Sequence, residues 1–212
     1  MSIGSISLSN GTLLKYSYDG SDKNDALKIT LDRPYKPNEE VKLKINYRTI
    51  WTNEIDPDYL SGTNGKGLRF STPTFNDPIK PKEIWSIGEP ESNRYWFPCY
   101  DAPNDLRTTE FIATVDKKLQ VISNGKLIEC KTNTDNTKTY HWKSDIPYAN
   151  HLTSFVVGEF LDVQENYDNF IIHNYGAAKE MDWVAASVVR LSDMMTYYSK
   201  SIGLPYPFPR YS

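Results

Sequence analysis

Apolar residues recur at every second position through much of the first 175 residues. The segment VKLKINY, residues 41–47, places Val41, Leu43, Ile45 and Tyr47 on one face and polar side chains on the other. A period of two is typical of a strand with one buried face. The same character occurs in further segments, at residues 13–18, 26–30, 111–115, 138–142, 153–160 and 169–173. Short strands with turn residues between them predict an all-β fold, an antiparallel β-sandwich.

Turn residues mark the connections between these strands. In VISNGKLIE, residues 121–129, the Asn-Gly pair suits a type I′ turn, so this segment is predicted to form a hairpin. The sequon Asn10-Gly11-Thr12 is interpreted more simply as another hairpin turn. Residues 52–83 differ, because they hold four prolines and show little alternation. A loop of that length inside a compact domain is usually functional or covers something.

The period changes near the end of the chain. The segment EMDWVAASVVRLSDMMTYYSKSIG predicts one amphipathic helix, which Gly203 and Pro205 would end. Its apolar residues recur at steps of three or four, at Met181, Val184, Val188, Leu191, Met195 and Tyr198. The following LPYPFPRYS contains three prolines in nine residues and is predicted to be an extended linker.

Composition and charge narrow the classes of function. The chain has 212 residues, enough to bury a core, and a formal net charge of −3. The absence of a Lys/Arg cluster argues against nucleic-acid binding. No run of about 18 apolar residues is present, so no membrane segment is predicted. Cys99 and Cys130 form no metal-binding pattern and are interpreted as buried free thiols.

The chain contains no catalytic motif of its own. His141, His151 and His173 are ten and 22 residues apart and form no H-E-x-x-H pair, so they are interpreted as structural. Nucleophile-turn, P-loop and dinucleotide-binding glycine patterns are also absent. A glycosidase would need an acid and a base, but acid pairs are frequent by chance. The candidates for such a pair are Glu83, Glu89, Glu91, Asp101 and Asp105.

One long block carries a specific resemblance. Residues 67–111, GLRFSTPTFNDPIKPKEIWSIGEPESNRYWFPCYDAPNDLRTTEF, resemble the N-terminal domain of the aminopeptidase N family of zinc metallopeptidases. The similarity continues through VISNGKL, YANHLTSFVVGEF and IGLPYPFPRYS. The resemblance implies that residues 1–175 form a saddle-like β-sandwich, which packs against a thermolysin-like catalytic domain of the same chain. Residues 176–212 would begin that catalytic domain.

The same resemblance implies which parts of the parent protein precede and follow these residues. The family's Gly-x-Met-Glu-Asn and H-E-x-x-H motifs follow the proline-rich segment, so the zinc would belong to the parent protein and not to these residues. The segment IGSISLSNGTLLKYSYDG is similar to the family's fourth strand region. The sequence is therefore interpreted as an internal fragment without its first strands.

Two residues are expected to contact substrate. In the family, the acid or amide at the position of Glu89 projects into the active-site cleft and helps to hold the free α-amine of the peptide. Ile87 stands where the family usually has a glutamine that lines the first side-chain pocket. The remaining residues of the block are expected to be structural, with an aromatic core under the loop and with Arg94 paired to Asp101 or Asp105.

The sequence thus predicts the non-catalytic domain of a zinc-dependent aminopeptidase, with the N-terminus of a peptide as its ligand. Two alternatives remain. One is a family member without zinc that serves as a protein-interaction scaffold, and the other is a carbohydrate-binding β-sandwich, suggested by an aromatic content of 13%. The sequence of the parent protein beyond Ser212 distinguishes the aminopeptidase from the scaffold.

Overall fold

Strands dominate the computed structural model, which describes residues 1–19, 26–49 and 67–212. Fourteen strands lie in this described part of the chain. They are β1 (Ser2–Leu8), β2 (Lys15–Ser17), β3 (Lys28–Thr30), β4 (Leu43–Arg48), β5 (Gly67–Ser71), β6 (Glu83–Ile87), β7 (Leu106–Asp116), β8 (Gln120–Ser123), β9 (Lys126–Thr132), β10 (Thr137–Ala149), β11 (Phe155–Gly158), β12 (Leu161–Tyr167), β13 (Phe170–Gly176) and β14 (Arg210–Tyr211). The predicted all-β class is confirmed, and each segment with alternating residues contributes a strand.

The few helices are short. Three 3-10 helices cover Asn93–Tyr95, Asn150–Leu152 and Ala178–Glu180, and two α-helices cover Met181–Val188 (α1) and Leu191–Ile202 (α2). None of the helices in the described ranges is long and apolar enough to cross a membrane.

The chain forms two compact units. The first unit contains Met1–Phe70, Ser86–Asp105 and Ala149–Leu152. The second unit contains Ser71–Trp85, Leu106–Tyr148 and Thr153–Ser212.

The first unit contains two antiparallel ribbons, β1-β4 and β2-β3. Ile6 on β1 lies opposite Ile45 on β4, and Ile6 is 1% exposed. Ile6, Leu8 and Leu14 form the core of this unit, and Ile45 packs against it. Of the four residues predicted on the buried face of the segment at residues 41–47, Val41 and Ile45 pack against the core, whereas Leu43 and Tyr47 are 39% and 41% exposed, so the prediction is wrong for these two.

The second unit contains antiparallel pairs of consecutive strands, β9-β10 and β12-β13, and antiparallel pairs of strands that are distant in sequence, β6-β11 and β8-β11. One sheet has the order β7-β10-β9, another contains the neighbouring strands β6-β11-β8, and a third has the order β12-β13-β14. Its main core cluster consists of Val121, Tyr140, Trp142 and Val157. The indole Nε1 of Trp142 donates a hydrogen bond to the Val121 carbonyl over 2.8 Å, so this buried polar atom has a partner.

A smaller cluster joins β13 to α2 through Phe170, Ile172 and Met195. Ile172 is fully buried. Full burial of an aliphatic side chain of this size stabilises a fold by about 1.5–3 kcal/mol, so this contact holds α2 against the third sheet.

Five further expectations from the sequence need correction. The predicted hairpin at residues 121–129 is wrong, because β8 pairs with β11 whereas β9 pairs with β10. The Asn-Gly pair instead makes a corner between two sheets. Gly125 adopts a φ of +83°, and a Cβ there would lie 2.0 Å from the Lys143 carbonyl oxygen, so the corner requires glycine.

The single predicted helix is two helices, α1 and α2, interrupted at residues 189–190. Its predicted end is confirmed, because Gly203 has a left-handed φ of 78° and its N–H donates to the Ser199 carbonyl over 3.0 Å. The segment after it is not wholly an extended linker, since Arg210–Tyr211 pairs in parallel with β13.

The predicted loop at residues 52–83 contains strand β5 within its described part, and residues 52–66 lie outside the described residues. Both cysteines are free, as expected. Cys99 is half-buried, but Cys130 is exposed, so the expectation of a buried thiol is wrong there. Cys130 lies on β9, where every residue is exposed.

Candidate functional site

Glu89 lies in the tight turn that follows β6. The side chain of Glu89 is exposed, and Ile87, the last residue of β6, is half-buried. Ser92 closes the turn, because its N–H donates to the Gly88 carbonyl over 2.9 Å and its hydroxyl donates to the Glu89 carbonyl over 3.1 Å. The Glu89–Pro90 peptide bond is cis. The turn therefore presents the Glu89 carboxylate to solvent from a hydrogen-bonded backbone.

Gly88 allows this turn to pack closely on a neighbouring segment. A Cβ at Gly88 would lie 2.2 Å from the carbonyl oxygen of His151 and 2.8 Å from Nδ2 of Asn93. No side chain fits in that space, so only glycine lets the backbone before Glu89 approach the 3-10 helix Asn150–Leu152.

Asn93 anchors the turn from the interior. Its side chain is fully buried. Nδ2 donates to the Asn150 carbonyl over 2.6 Å, and Oδ1 accepts a hydrogen bond from Nε1 of Trp96 over 2.8 Å. Because a buried amide without partners costs free energy, this geometry favours one position of the turn.

A second set of contacts involves Asp101 and Glu91, two further acids near the turn. The Asp101 carboxylate accepts hydrogen bonds from the Arg94 N–H over 2.9 Å and from Nε of Arg94 over 3.3 Å. Asp101 also accepts a hydrogen bond from Nδ2 of Asn150, and Glu91 forms an ion pair with Arg94. The predicted pairing of Arg94 with Asp101 is thus confirmed.

These contacts separate Glu89 from its acidic neighbours. Asp101 has a side chain that is only 2% exposed, and Arg94 holds both it and Glu91. Within residues 1–19, 26–49 and 67–212, no hydrogen bond or ion pair to the Glu89 carboxylate is found. Glu89 is therefore a carboxylate on a fixed turn that is open to an external cation.

Glu83, at the other end of β6, lies in a different environment. Burial raises the pKa of the Glu83 carboxyl, the nearby charge of Glu180 raises it further, and Lys179 lowers it. Asp101, a second candidate for an acid–base pair, is occupied by Arg94 and Asn150. The contacts of Asp101 thus weigh against using it as a glycosidase acid or base.

The histidines have local partners or structural positions. Nε2 of His141 lies 2.6 Å from a Glu110 oxygen, and Nδ1 of His173 lies 2.8 Å from an Asp162 oxygen. His151 lies in the 3-10 helix that packs against Gly88. No group of three or more His, Cys, Asp or Glu residues that could hold a metal ion occurs in the described part of the chain.

The aromatic residues next to the turn are structural, as expected for most of them. Trp96 is 6% exposed, and Tyr95 and Phe97 are half-buried. The rings of Trp96 and Phe97 meet edge to face, with 4.5 Å between their centroids. A Cβ at Gly67 would lie 3.3 and 3.2 Å from the Cβ atoms of Tyr95 and Trp96.

Sequence reasoning missed the two asparagines and the serine that hold the turn. Asn93 and Asn150 are 57 residues apart, so no local pattern links them. The signal that was present is the polar pair Ser92-Asn93 inside an otherwise aromatic block, since polar residues in such a setting need partners.

Comparison with protein families and with known proteins finds related sequences. A family model described as the peptidase M1 N-terminal domain matches residues 7–152. The chain is 27% identical over 145 residues to transcription initiation factor TFIID subunit 2 of Gallus gallus, which covers 67% of this chain and 12% of that protein. The corresponding Danio rerio protein is 28% identical over 145 residues, with the same shares of both chains.

A probable M1 family aminopeptidase 2 of Encephalitozoon cuniculi is 27% identical over 133 residues, which is 61% of this chain and 15% of that protein. A probable M1 family aminopeptidase 1 of the same organism is also 27% identical over 133 residues. The chain spans 12% to 15% of the length of these relatives.

Proposed function

Because the chain belongs to the peptidase M1 N-terminal domain family, we propose that it is the non-catalytic substrate-binding part of a zinc-dependent aminopeptidase. In this proposal Glu89 binds the α-amine of a peptide substrate. The similarity to probable M1 family aminopeptidases supports a peptidase as the parent protein.

The availability of the Glu89 carboxylate carries the proposal. An α-amine has a pKa of about 8, so it is mostly cationic at neutral pH. A carboxylate binds such a cation through a charge-assisted hydrogen bond, which is stronger than a bond between neutral groups. An internal peptide bond has no such cation, so this contact would select the free N-terminus and favour removal of terminal residues.

We further propose that Ile87 lines the pocket for the first side chain of the substrate. Ile87 is half-buried and lies two residues before Glu89 in the chain. Its aliphatic side chain offers apolar contact where a glutamine would offer a hydrogen bond.

The zinc of this proposal does not fit the residues described here. The described ranges contain no cluster of ligand-type side chains, so we assign recognition of the amine to this chain and leave activation of water to the catalytic domain. That catalytic domain of the parent protein is the second partner of this chain.

The test is Glu89→Ala in the full-length enzyme. A hydrogen bond to a charged group contributes roughly 1.5–3 kcal/mol, so kcat/KM on peptides with a free amine should fall about ten- to 150-fold. Glu89→Gln should retain part of the activity, because an amide oxygen still accepts a hydrogen bond without the charge. Unchanged kcat/KM in Glu89→Ala would show that Glu89 is a surface acid without this role.

Two controls accompany this measurement. Glu91→Ala removes an acid two residues away that pairs with Arg94, and it should keep kcat/KM near that of the wild type. Substrates with a blocked amine should be hydrolysed poorly by the wild type and by Glu89→Ala alike. Melting temperatures of all variants separate a loss of binding from a loss of folding.

The similarity to TFIID subunit 2 supports a second candidate, a protein-interaction scaffold in a parent protein without zinc. The aminopeptidase and the scaffold would differ in the sequence of the parent protein outside this chain. An H-E-x-x-H motif with a later glutamate in the parent sequence would identify the enzyme, and its absence would favour the scaffold.

A further inference from the structure

A groove in the second unit lies beside strand β9 and has a volume of about 680 Å³. We call it the β9 groove and define it by Lys126, Leu127, Lys138, Trp142, Ile171 and Arg210. The indole of Trp142 is 4% exposed, but Leu127 is 44% exposed and Ile171 is 39% exposed. Two aliphatic side chains are thus exposed at the walls of one groove, and a concave surface with apolar lining is typical of ligand-binding sites.

The charge of the β9 groove is opposite to that of the chain. Lys126, Lys138 and Arg210 line it, and Asp162 is the one carboxylate among its described lining residues. The Asp162 carboxylate lies 2.8 Å from Nδ1 of His173 and is therefore already engaged. No ion pair of Lys126 or Lys138 is found in the described part of the chain. The groove therefore carries a local excess of positive charge in a chain of net charge −3.

Arg210 provides a fixed cation at this groove. Its Nη1 donates to the Ser123 carbonyl over 3.3 Å, and its Nη2 donates to the Tyr175 hydroxyl over 2.9 Å. The guanidinium also lies 4.5 Å from the centroid of the Trp142 ring. These contacts hold the charge in place, whereas the two lysines have long side chains that can adapt to a ligand.

The position of β9 favours an extended peptide over a small anion. β9 is the last strand of the sheet β7-β10-β9 in the described residues. A strand at the edge of a sheet presents backbone N–H and C=O groups with which an extended peptide can pair. β9 contributes Lys126 and Leu127 to the groove, so apolar walls, positive charge and the last strand of this sheet in the described residues lie together.

We propose that the β9 groove binds an extended peptide segment that carries both acidic and aliphatic side chains. The aliphatic side chains would contact Leu127 and Ile171, and the carboxylates would lie near Lys126 and Lys138. This site is separate from the Glu89 turn in sequence and needs no free α-amine, so the proposal does not depend on the aminopeptidase function.

The test measures binding of labelled peptides to the full-length protein by fluorescence anisotropy. The probe is a peptide of alternating leucine and glutamate, blocked at both ends so that it has no free α-amine. The comparison peptide has lysine in place of every glutamate. The protein variant is Lys126→Glu/Lys138→Glu, and the matched control is Lys118→Glu/Lys131→Glu, which changes the net charge equally at exposed lysines outside the groove.

We expect the acidic peptide to bind the wild type in preference to the basic one, and added salt to weaken this binding. Reversal of both groove lysines replaces two attractions by repulsions, so the acidic peptide should bind about tenfold more weakly or worse. The control variant should bind it nearly as well as the wild type. The groove variant should instead bind the basic peptide, which also shows that this variant is folded.

Three results would overturn the proposal. The first is absence of binding of the acidic peptide to the wild type, and the second is equal weakening by the groove and control variants, which would indicate an effect of net charge alone. The third is a dimer of the protein that Leu127→Asp dissociates, because the groove would then hold a second copy of this chain and not a peptide.

Discussion

Asn93 shows how a single buried amide can fix the position of an exposed functional residue. It accepts a hydrogen bond from Trp96 and donates one to the Asn150 carbonyl, and a Cβ at Gly88 would lie only 2.8 Å from its Nδ2. Glu89 lies in the turn between Gly88 and Asn93. The placement of the carboxylate thus depends on residues that do not themselves reach solvent.

We therefore predict that Asn93→Ala destabilises the protein. The substitution leaves the Asn150 carbonyl and Nε1 of Trp96 without these partners, at a cost of about 1–3 kcal/mol for each buried group. Denaturant unfolding of the variant and the wild type measures the difference in the free energy of unfolding.

Asn10→Ala is the control for Asn93→Ala. The side chain of Asn10 accepts a hydrogen bond from the Thr12 N–H over 3.0 Å, but it does so in an exposed turn where water can replace it. Its effect should be well below that of Asn93→Ala. Equal effects of the two substitutions would contradict the anchoring role of Asn93.

The sequence could predict the charged pairs at this site but not its buried anchor. Arg94 and Asp101 have opposite charges and lie seven residues apart, so their pairing was a reasonable expectation. The contact between Asn93 and Asn150 requires knowledge of the fold, because it joins distant segments. The roles of Glu89 and Ile87 came from the family resemblance and remain proposals.

At the scale of elements, alternation predicted which segments are strands but not which strands pair. An apolar residue at every second position shows that one face of a strand is buried. The pattern does not depend on which other strand it pairs with. The segment at residues 121–129 has two alternating halves, yet they belong to different sheets. The helix break escaped prediction for a similar reason, because α1 and α2 are only two residues apart and keep one apolar periodicity.

Two glycines with similar backbone angles provide an experiment on the corner between β8 and β9. Gly125 has a φ of +83° and Gly203 a φ of +78°, so alanine is strained at both by about 1–2 kcal/mol. A Cβ at Gly125 would also lie 2.0 Å from the Lys143 carbonyl oxygen, whereas nothing lies within 4 Å at Gly203. Gly125→Ala should therefore lower the free energy of unfolding clearly more than Gly203→Ala does.

Denaturant unfolding of both variants measures this difference. Gly203→Asn is a useful addition, because asparagine tolerates the left-handed conformation better than alanine and should recover part of the loss. Equal losses for Gly125→Ala and Gly203→Ala would mean that the close approach to Lys143 does not constrain the corner.

At the scale of the whole molecule, buried tyrosines predict sensitivity to alkali. Burial raises the pKa of the Tyr140 hydroxyl to about 12, and the charge of Cys130 and a hydrogen bond with it add to the effect. Burial also raises the pKa of Tyr148, Tyr175 and Tyr206. An unfolded tyrosine has a pKa of about 10.

The sign of the effect follows from proton binding. Between about pH 10 and pH 12 the folded protein keeps a proton on Tyr140 that the unfolded chain has lost. Stability therefore falls as the pH rises through this range, and the full contribution is present below about pH 10. Denaturant unfolding at several alkaline pH values should show this decline, and Tyr140→Phe should reduce it. An identical decline in Tyr140→Phe would exclude Tyr140 as a contributor.

Family membership leads to the last prediction, which concerns metal and activity. The resemblance found at residues 67–111 is confirmed by the family match over residues 7–152. The described residues offer no cluster of metal ligands, so the isolated chain should neither retain zinc after dialysis nor hydrolyse aminoacyl anilides. Elemental analysis and a chelator-sensitive activity assay measure the two properties. One tightly bound zinc per isolated chain would contradict our assignment of the metal to the catalytic domain. For the full-length protein, zinc together with activity is the result expected for the aminopeptidase, and the lack of both is the result expected for the scaffold.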